Sequence, residues 1–166
     1  ELNGFIRVFS EPEQGSRFEI YLPASTVTQQ VPLEQAPLTL ESGAGNLLVV
    51  DDEAAIIEIM GEMLRELGYQ VDTELNSQKA LEKIRQQPSR YDLVITDQTM
   101  PEVTGLELAE ELYRLNPVVP VIICTGYSSI IKEQNDLSQN IKKLMAKPLP
   151  LAELASTVQL ILKKGA

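Results

Sequence analysis

Tyr91–Pro101 reads Tyr-Asp-Leu-Val-Ile-Thr-Asp-Gln-Thr-Met-Pro, and this stretch decides the fold. The apolar run Leu93–Ile95 is short and rich in β-branched residues, which is typical of a strand buried on both faces of a parallel sheet. Asp97 lies where such a strand leaves the core. Ligands of open α/β sheets bind just beyond the carboxyl ends of the strands. We therefore expect chemistry at this point, with Asp97 as the central residue.

Short apolar runs alternate with segments of helical periodicity from Asn46 to the end of the chain. The pattern predicts five strands, at Leu47–Val50, Tyr69–Glu74, the run before Asp97, Val119–Cys124 and Lys142–Ala146. Five helices are predicted between and after them: one with Ile56, Ile59, Met60, Met63, Leu64 and Leu67 on its inner face, and others from Asn76 to about Gln86, at Gly105–Leu115, at Ser128–Ser138 and from Leu151 onward.

Strands that alternate with helices fold into a parallel sheet covered on both faces, because βαβ crossovers are right-handed. We therefore predict an α/β fold, a doubly wound five-stranded parallel sheet with the strand order 2-1-3-4-5. The second strand is the most polar of the five, which favours an edge position. In this order the switch point, and hence the binding crevice, lies between strands 1 and 3.

Four of the predicted strands end in polar residues that could share this crevice. Asp51 and Asp52 follow strand 1, Asp97 ends strand 3, and Thr125 and Lys147 follow strands 4 and 5. Each alone could be a helix cap, a solvated acid, a turn hydroxyl or a surface lysine. Together they favour a phosphoryl-transfer site. Crowded carboxylates need a divalent cation such as Mg²⁺, and an ammonium and a hydroxyl can bind the remaining phosphoryl oxygens.

The composition narrows the possible partners. A formal net charge of -10 over 166 residues argues against nucleic acid or an anionic membrane as a direct partner. The longest apolar run, Val118–Cys124, is too short to span a bilayer.

The chain has no histidine, which excludes a His-based triad or metal site. Its one cysteine, Cys124, is expected to fill the core. The first residue is glutamate and no signal peptide is visible, so we expect a fragment of a longer protein.

Residues 1–22 differ from the rest and alternate apolar and polar side chains around a Pro/Gly turn, which predicts a β-hairpin. Residues 23–45 are rich in proline, glutamine and glycine and read as a linker to the domain at 46–166. The hairpin, with Gly-Phe-Ile-Arg-Val and Phe-Glu-Ile-Tyr-Leu-Pro on either side of a Gly-Ser turn, resembles the end of the ATP-binding domain of sensor histidine kinases. The nucleotide-binding and phospho-accepting motifs of those kinases are not in this sequence.

Residues 46–164 resemble a response-regulator receiver domain over its full length. The motifs that carry the resemblance are Val49–Glu53, Asp92–Asp97, Met100-Pro101, Gly105, Thr125–Tyr127 and Lys147-Pro148. The resemblance implies that Asp97 is the phospho-accepting aspartate. It also implies that Asp52, Asp97 and the main-chain carbonyl of Thr99 bind Mg²⁺, with Asp51 helping directly or through water.

The same resemblance assigns Lys147 to the phosphoryl group and makes Thr125 the residue that moves towards it. It also implies a cis peptide bond between Lys147 and Pro148. One departure concerns the readout: the family usually has an aromatic residue three positions before the lysine, where this chain has Leu144. Ring rotation therefore cannot report phosphorylation unless Tyr127 takes a related role.

The interpretation that follows is a receiver module from the C-terminus of a hybrid sensor histidine kinase, with no kinase activity in the fragment itself. Asp97 would take a phosphoryl group from a phosphohistidine of the same or another chain, and a histidine phosphotransfer protein could be a further partner. A cytoplasmic location is expected, in a parent chain that could be membrane-anchored. Gln98 and Thr99 would tune the lifetime of the acyl phosphate.

Two other classes stay open at this stage. An interaction-only pseudo-receiver would keep the fold without the chemistry, although it would be expected to lack Asp52, Asp97 or Lys147. A metal-dependent phosphatase with an aspartate nucleophile would place that residue after the first strand, with a second aspartate two residues later. The Asp51-Asp52-Glu53 sequence disfavours this arrangement, and it would also repel the phosphate of a bound nucleotide or flavin.

Overall fold

The computed structural model describes residues 4–23, 43–126 and 137–165. The chain forms two compact units, Glu1–Pro37 and Leu38–Ala166. In the first unit, β1 (Phe5–Glu11) and β2 (Gly15–Tyr21) pair as an antiparallel hairpin, as the alternation predicts. The domain boundaries at 1–22, 23–45 and 46–166 remain a prediction.

The hairpin leaves apolar side chains in water. Ile6 pairs with Ile20 and Val8 with Phe18, so these residues share one face of the two strands. All four side chains are more than half exposed. A two-stranded hairpin of this kind is marginally stable by itself.

The second unit alternates strands with helices. In chain order its elements are β3 (Asn46–Val50), α1 (Ala54–Glu66), β4 (Gln70–Glu74), α2 (Ser77–Gln86), β5 (Leu93–Asp97), α3 (Gly105–Leu115), β6 (Val121–Thr125), β7 (Ile141–Ala146) and α4 (Leu151–Gly165). The strands form one parallel sheet in the order β4-β3-β5-β6-β7, which confirms the predicted 2-1-3-4-5 order. The polar strand β4 lies at an edge, as predicted.

Alternate residues of the central strands supply two cores, one on each face of the sheet. Leu47 and Val49 of β3 point to one face, where the helical residues Ile57, Met60, Leu64, Leu154 and Val158 cover them. Leu48 and Val50 point to the other face, against Ala80, Ile84, Leu108, Ala109 and Leu112. Cys124 is buried in the first core, which confirms its role as core filling.

The inner face of α1 differs from the predicted one. Ile59 was expected to be buried, but its side chain is 53% exposed, and Ile57 takes the core position instead. The apolar residues of this helix are so numerous that periodicity alone does not fix which stripe faces the sheet. The predicted helix over Ser128–Ser138 lies outside the described residues except for its last two.

Side-chain caps fix the starts of α2 and α3. The Asn76 side chain accepts a hydrogen bond from the Lys79 N–H and caps α2, as predicted. Thr104 and Glu107 form a reciprocal capping box at the start of α3. These two helix ends lie next to the loop that follows β5, so the caps also determine where that loop runs.

Basic side chains lie along both edge strands of the sheet. The Arg65 guanidinium donates to the main-chain oxygen of Val71 in β4 at 2.9 Å. At the opposite edge, Lys142 and Lys143 of β7 are exposed.

Among the described residues, no helix is long and apolar enough to cross a membrane.

Candidate functional site

The carboxyl ends of four parallel strands bring the predicted polar residues to one edge of the sheet. Asp51 directly follows β3, and Asp97 is the last residue of β5. Thr125 ends β6, and Lys147 directly follows β7. The parallel register aligns these strand ends, because Asp97 lies beside Cys124 and Thr125 beside Ala146.

The Lys147 ammonium lies at the centre of the site. Its Nζ is 2.7 Å from Asp97 Oδ1, 2.9 Å from Asp51 Oδ2 and 3.7 Å from Glu53 Oε1. The Asp51 side chain is fully buried, and the side chains of Asp97 and Lys147 are 6% and 20% exposed. Three carboxylates within 4.0 Å of one ammonium give the cluster a formal charge of -2. The sequence interpretation did not give Glu53 a part in the site, although it directly follows Asp51-Asp52.

Burial and charge act in opposite directions on these groups. Burial favours the neutral form of Lys147, but the hydrogen bonds and charges of Asp97 and Asp51 outweigh it and raise the pKa of the ammonium. Burial is also the largest influence on Asp51 and raises the pKa of its carboxyl group, against the opposing effects of the Glu53 N–H and Lys147. The site therefore keeps a fixed positive charge at neutral pH beside Asp51, whose negative charge is costly to bury.

The second oxygen of Asp97 is held by the main chain. Asp97 Oδ2 accepts a hydrogen bond of 2.6 Å from the N–H of Thr99, and Oδ1 contacts Lys147. Both oxygens thus have a partner, and the carboxylate has one orientation. Thr99 itself is exposed, and its main chain forms part of the loop that leads from β5 to α3.

The residues behind Asp97 explain why the motif needs Gly105. A Cβ atom at this position would lie only 2.3 Å from the main-chain oxygen of Asp97, so only glycine lets α3 begin here. The buried Gln98 side chain also holds this junction, since its Oε1 accepts from the Leu106 N–H at 3.1 Å. From the sequence we expected Gln98 to tune the lifetime of the phosphate, and its packing role was missed. A single polar residue at the end of a strand does not indicate such a role.

The remaining predicted residues occupy different positions. Thr125 is 2% exposed, and its main-chain oxygen accepts from the Lys147 N–H at 2.8 Å. The peptide bond between Lys147 and Pro148 is cis, as the resemblance implies. Asp52 is exposed and makes no side-chain hydrogen bond or ion pair with the described part of the chain. Neither Asp51 nor Asp52 is the N-cap of α1, which is Glu53.

The donor set fits Mg²⁺ in kind and in charge. Magnesium prefers oxygen ligands, usually one or two carboxylates together with waters and phosphate oxygens. Asp51 and Asp97 are brought together, and the local excess of negative charge, -2, equals the charge that a divalent cation would neutralise. Within residues 43–126 and 137–165, however, no three acidic, histidine or cysteine side chains already surround a common point. The fit therefore rests on oxygen chemistry and charge, without a preformed cage.

Leu144 stands where the family usually has an aromatic readout residue, and Tyr127 is the residue that could take a related role. Leu144 is half-buried and packs on the core beneath α2 and α3, with no aromatic ring at that position. Tyr127 lies outside the described residues.

The fold and the site together define a flavodoxin-like α/β protein with an acid–lysine cluster at the switch point of its sheet. The family model described as the response regulator receiver domain matches residues 47–159, and the chain therefore belongs to that family. Domains of this family in two-component systems accept a phosphoryl group as their general role. The predicted resemblance to a receiver domain is confirmed.

Curated relatives fall into two groups. The transcriptional regulatory protein ZraR of Escherichia coli (strain K12) is 35% identical over 114 residues, which is 69% of this chain and 25% of that protein. The sensor kinase CckA of Brucella abortus (strain 2308) is 29% identical over 174 residues, 99% of this chain and 18% of that protein. The aerobic respiration control sensor protein ArcB of Escherichia coli (strain K12) is 28% identical over 95% of this chain and 20% of its own length. The chain thus spans a quarter or less of these relatives.

Solved structures agree with the family. The response regulator TrrA of Thermotoga maritima, in complex with Mg(2+)-BeF, is 37% identical with a TM-score of 0.61, and the match covers 70% of this chain and 97% of TrrA. A response regulator receiver domain protein from Clostridium thermocellum is 25% identical with a TM-score of 0.66, over 72% of this chain and 94% of that one.

Proposed function

We propose that Asp97 is the phospho-accepting residue of this receiver domain and that it takes the phosphoryl group from a phosphohistidine. A carboxylate oxygen of Asp97 attacks the phosphorus, the phosphorus–nitrogen bond breaks, and the histidine nitrogen leaves with the electron pair. The products are an aspartyl phosphate and a free imidazole. The observation that carries the proposal is the 2.7 Å contact between Lys147 Nζ and Asp97 Oδ1, with the Asp97 side chain only 6% exposed.

The groups around Asp97 suit this chemistry because phosphoryl transfer depends chiefly on alignment and charge neutralisation. Lys147 supplies a compact positive charge beside the reacting oxygen. The N–H of Thr99 fixes the rotamer of the carboxylate. Thr125, buried at the end of β6, offers a hydroxyl group that can bind a phosphoryl oxygen and so register its arrival.

A magnesium ion would be held by Asp52, Asp97 and the main-chain carbonyl of Thr99, with Asp51 close by. When bound, it supplies positive charge for the phosphoryl oxygens and for the crowded carboxylates. The complex of the relative TrrA with Mg(2+)-BeF supports this assignment, because TrrA is similar to this chain over 97% of its own length.

We place the domain in a longer sensor kinase. The matches to the sensor kinase CckA and the sensor protein ArcB cover 99% and 95% of this chain, so they include the β1–β2 hairpin as well as the receiver domain. In this proposal residues 1–22 are the last hairpin of the ATP-binding domain, 23–45 are a linker and 46–166 are the receiver. The phosphohistidine donor belongs to the same or another kinase chain, a histidine phosphotransfer protein is a possible acceptor, and the receiver works in the cytoplasm.

Incubation with acetyl phosphate and Mg²⁺, followed by intact mass measurement, tests the proposal. The wild-type chain should gain one phosphoryl group, and Asp97→Asn should gain none. Asp92→Asn is the matched control, because Asp92 precedes the same strand at its other end. A wild-type chain that stays unmodified would instead support the interaction-only pseudo-receiver.

A further inference from the structure

The loop between β5 and α3 contains a strained turn. Glu102 has a φ of 68°, in the left-handed region that residues other than glycine rarely adopt. The N–H of Val103 donates to the main-chain oxygen of Pro101 at 2.8 Å, across a single intervening residue. A hydrogen bond of this span around a positive φ marks the rarer of the two γ-turn types. Such strain persists only where the surroundings hold the backbone in place.

One buried hydroxyl group holds this turn. The side chain of Ser77, the first residue of α2, donates to the main-chain oxygen of Pro101 at 2.6 Å. The same oxygen, Ser77 Oγ, accepts from the N–H of Val103 at 3.2 Å. Ser77 thus binds the chain on both sides of Glu102, and it is 2% exposed. Next to it, the Asn76 side chain donates to the Glu102 carboxylate at 3.3 Å.

Asp97 and the Pro101–Val103 turn lie at opposite ends of one short segment of the chain, which begins at the end of β5. Thr99, which donates to Asp97 Oδ2, lies three residues before Glu102. At its far end the loop is bound by Ser77, whose helix is anchored in the core by Ala80 and Ile84. The Thr99 main chain thus lies between Asp97 and a turn that is bound by α2, an element that contributes no group to the site itself.

We propose that Ser77 is a positioning residue for the Asp97 site: its hydroxyl holds the Pro101–Val103 turn, and the turn holds the Thr99 main chain against Asp97. The inference rests on the proposed function, because the site that it serves is the phospho-accepting one. Ser77 acts through Thr99 and touches neither the Asp97 side chain nor the phosphoryl group. Its effect should therefore be on the affinity of the site for Mg²⁺, through the Thr99 carbonyl, more than on the maximal rate.

Three variants of the full chain separate positioning from mere stability. Ser77→Ala removes the hydroxyl without adding bulk. Ser77→Thr retains the hydroxyl and is the rescue variant. Ser138→Ala is the matched control, because Ser138 also donates a side-chain hydrogen bond, at 2.8 Å to Asn140, but just before β7, at the opposite end of the sheet.

Two readouts are needed, and the first requires no metal. Amide hydrogen exchange of Thr99, followed by NMR, should be about tenfold faster in Ser77→Ala than in wild type, the change expected for loss of one ordinary hydrogen bond. The second is the Mg²⁺ concentration that gives half-maximal phosphorylation by acetyl phosphate. It should rise about tenfold in Ser77→Ala for the same reason, with the maximal rate within about twofold.

Ser77→Thr should restore both quantities towards the wild-type values, and Ser138→Ala should change neither, even if its unfolding midpoint falls as far as that of Ser77→Ala. If Ser77→Ala and Ser138→Ala give the same Thr99 exchange rate and the same Mg²⁺ dependence while the wild type is phosphorylated, the role of Ser77 is overturned and the proposed function stands. If the wild type takes no phosphoryl group at all, the proposed function itself fails, and this inference fails with it.

Discussion

Lys147 contacts Asp97 although their strands are not neighbours in the sheet. β6 lies between β5 and β7, and the lysine reaches across its end to bring Nζ within 2.7 Å of Asp97 Oδ1. Thr125, the last residue of β6, is buried at this end of the sheet. One ammonium group thus connects the ends of β3, β5 and β7. Both the stability and the chemistry of the site depend on it.

Removal of this ammonium should destabilise the fold. Lys147→Met leaves the buried carboxylates of Asp51 and Asp97 without their cation, which should lower the free energy of unfolding by about 3 kcal/mol. Urea denaturation at pH 7 measures the change. Asp51→Asn in the same background should recover part of the loss. Lys143→Met is the control, because that ammonium lies on the surface, 4.0 Å from Glu153. A Lys147→Met protein as stable as this control would contradict the central role of Lys147.

Mg²⁺ should stabilise the folded chain. A ligand that binds only the native state at ten times its dissociation constant raises the free energy of unfolding by about 1.4 kcal/mol. We therefore expect the thermal midpoint to rise by a few degrees at millimolar Mg²⁺, and Asp52→Asn to reduce the increase. The comparison variant is Glu58→Gln, which removes an exposed carboxylate from α1. Equal Mg²⁺ responses in these two variants would argue against Asp52 as a ligand.

Gly105→Ala tests the close approach of α3 to Asp97 by the direction in which it changes the free energy of unfolding. In an open helical position, alanine stabilises relative to glycine by up to about 1 kcal/mol. Here the added Cβ would lie 2.3 Å from the Asp97 main-chain oxygen, so we expect destabilisation of about 2 kcal/mol instead. Gly126→Ala is the control, since no atom of the described residues, chain neighbours aside, lies within 4 Å of its added Cβ. Urea denaturation compares the two, and a stabilised Gly105→Ala protein would refute the close approach.

Stability should fall as the pH rises above 9. Burial raises the pKa of the Cys124 thiol to about 12, and burial together with the hydrogen bond to Asp72 raises the pKa of Tyr91 to about 12. The unfolded chain releases these protons at lower pH than the folded chain, so each group costs about 1.4 kcal/mol per pH unit between its unfolded and folded pKa.

Urea denaturation from pH 8 to pH 11 measures this slope. The double variant Tyr91→Phe with Cys124→Ala removes both groups and should flatten the decline. An unchanged slope in the double variant would show that other groups cause it.

The β1–β2 hairpin should exchange its amide protons rapidly in this chain. Its apolar side chains are exposed, and two strands alone are marginally stable in water. Hydrogen exchange should therefore show little protection at Val8, compared with strong protection at Val94 in the centre of the sheet. Equal protection would contradict this expectation, and protection that falls on dilution would show pairing between two copies of the chain.

The strand order and the meeting of Asp51, Asp97 and Lys147 could be predicted from the sequence. The order follows from the alternation of strands with helices and from the polar second strand, which favours an edge. The meeting of the three side chains follows because parallel strands place all their carboxyl ends at one edge. Both ends of the helix Gly105–Leu115 were also predicted correctly, since a glycine begins the helix and Asn-Pro follows its last residue. These features depend only on local pattern and on the geometry of the sheet.

Contacts between distant loops could not be predicted in this way. The bond from Ser77 to Pro101 joins residues 24 apart and depends on how closely α2 approaches the loop after β5. Nothing in the local sequence distinguishes Ser77 from an ordinary first residue of a helix. The exchange of Ile59 for Ile57 in the core has a similar origin, because the rotation of α1 is set by packing against the sheet.

Basic side chains lie at both outer edges of the sheet, Arg65 of α1 beside β4 and Lys142 and Lys143 on β7. Any strand edge can act as a template that recruits a further strand and begins aggregation. A recruited strand would have to displace the Arg65 guanidinium from Val71 at one edge and pass the Lys142 and Lys143 side chains at the other. Lysine on an outer strand is a known device of natural sheets against such growth. These basic side chains therefore disfavour the addition of a further strand at either edge of the sheet.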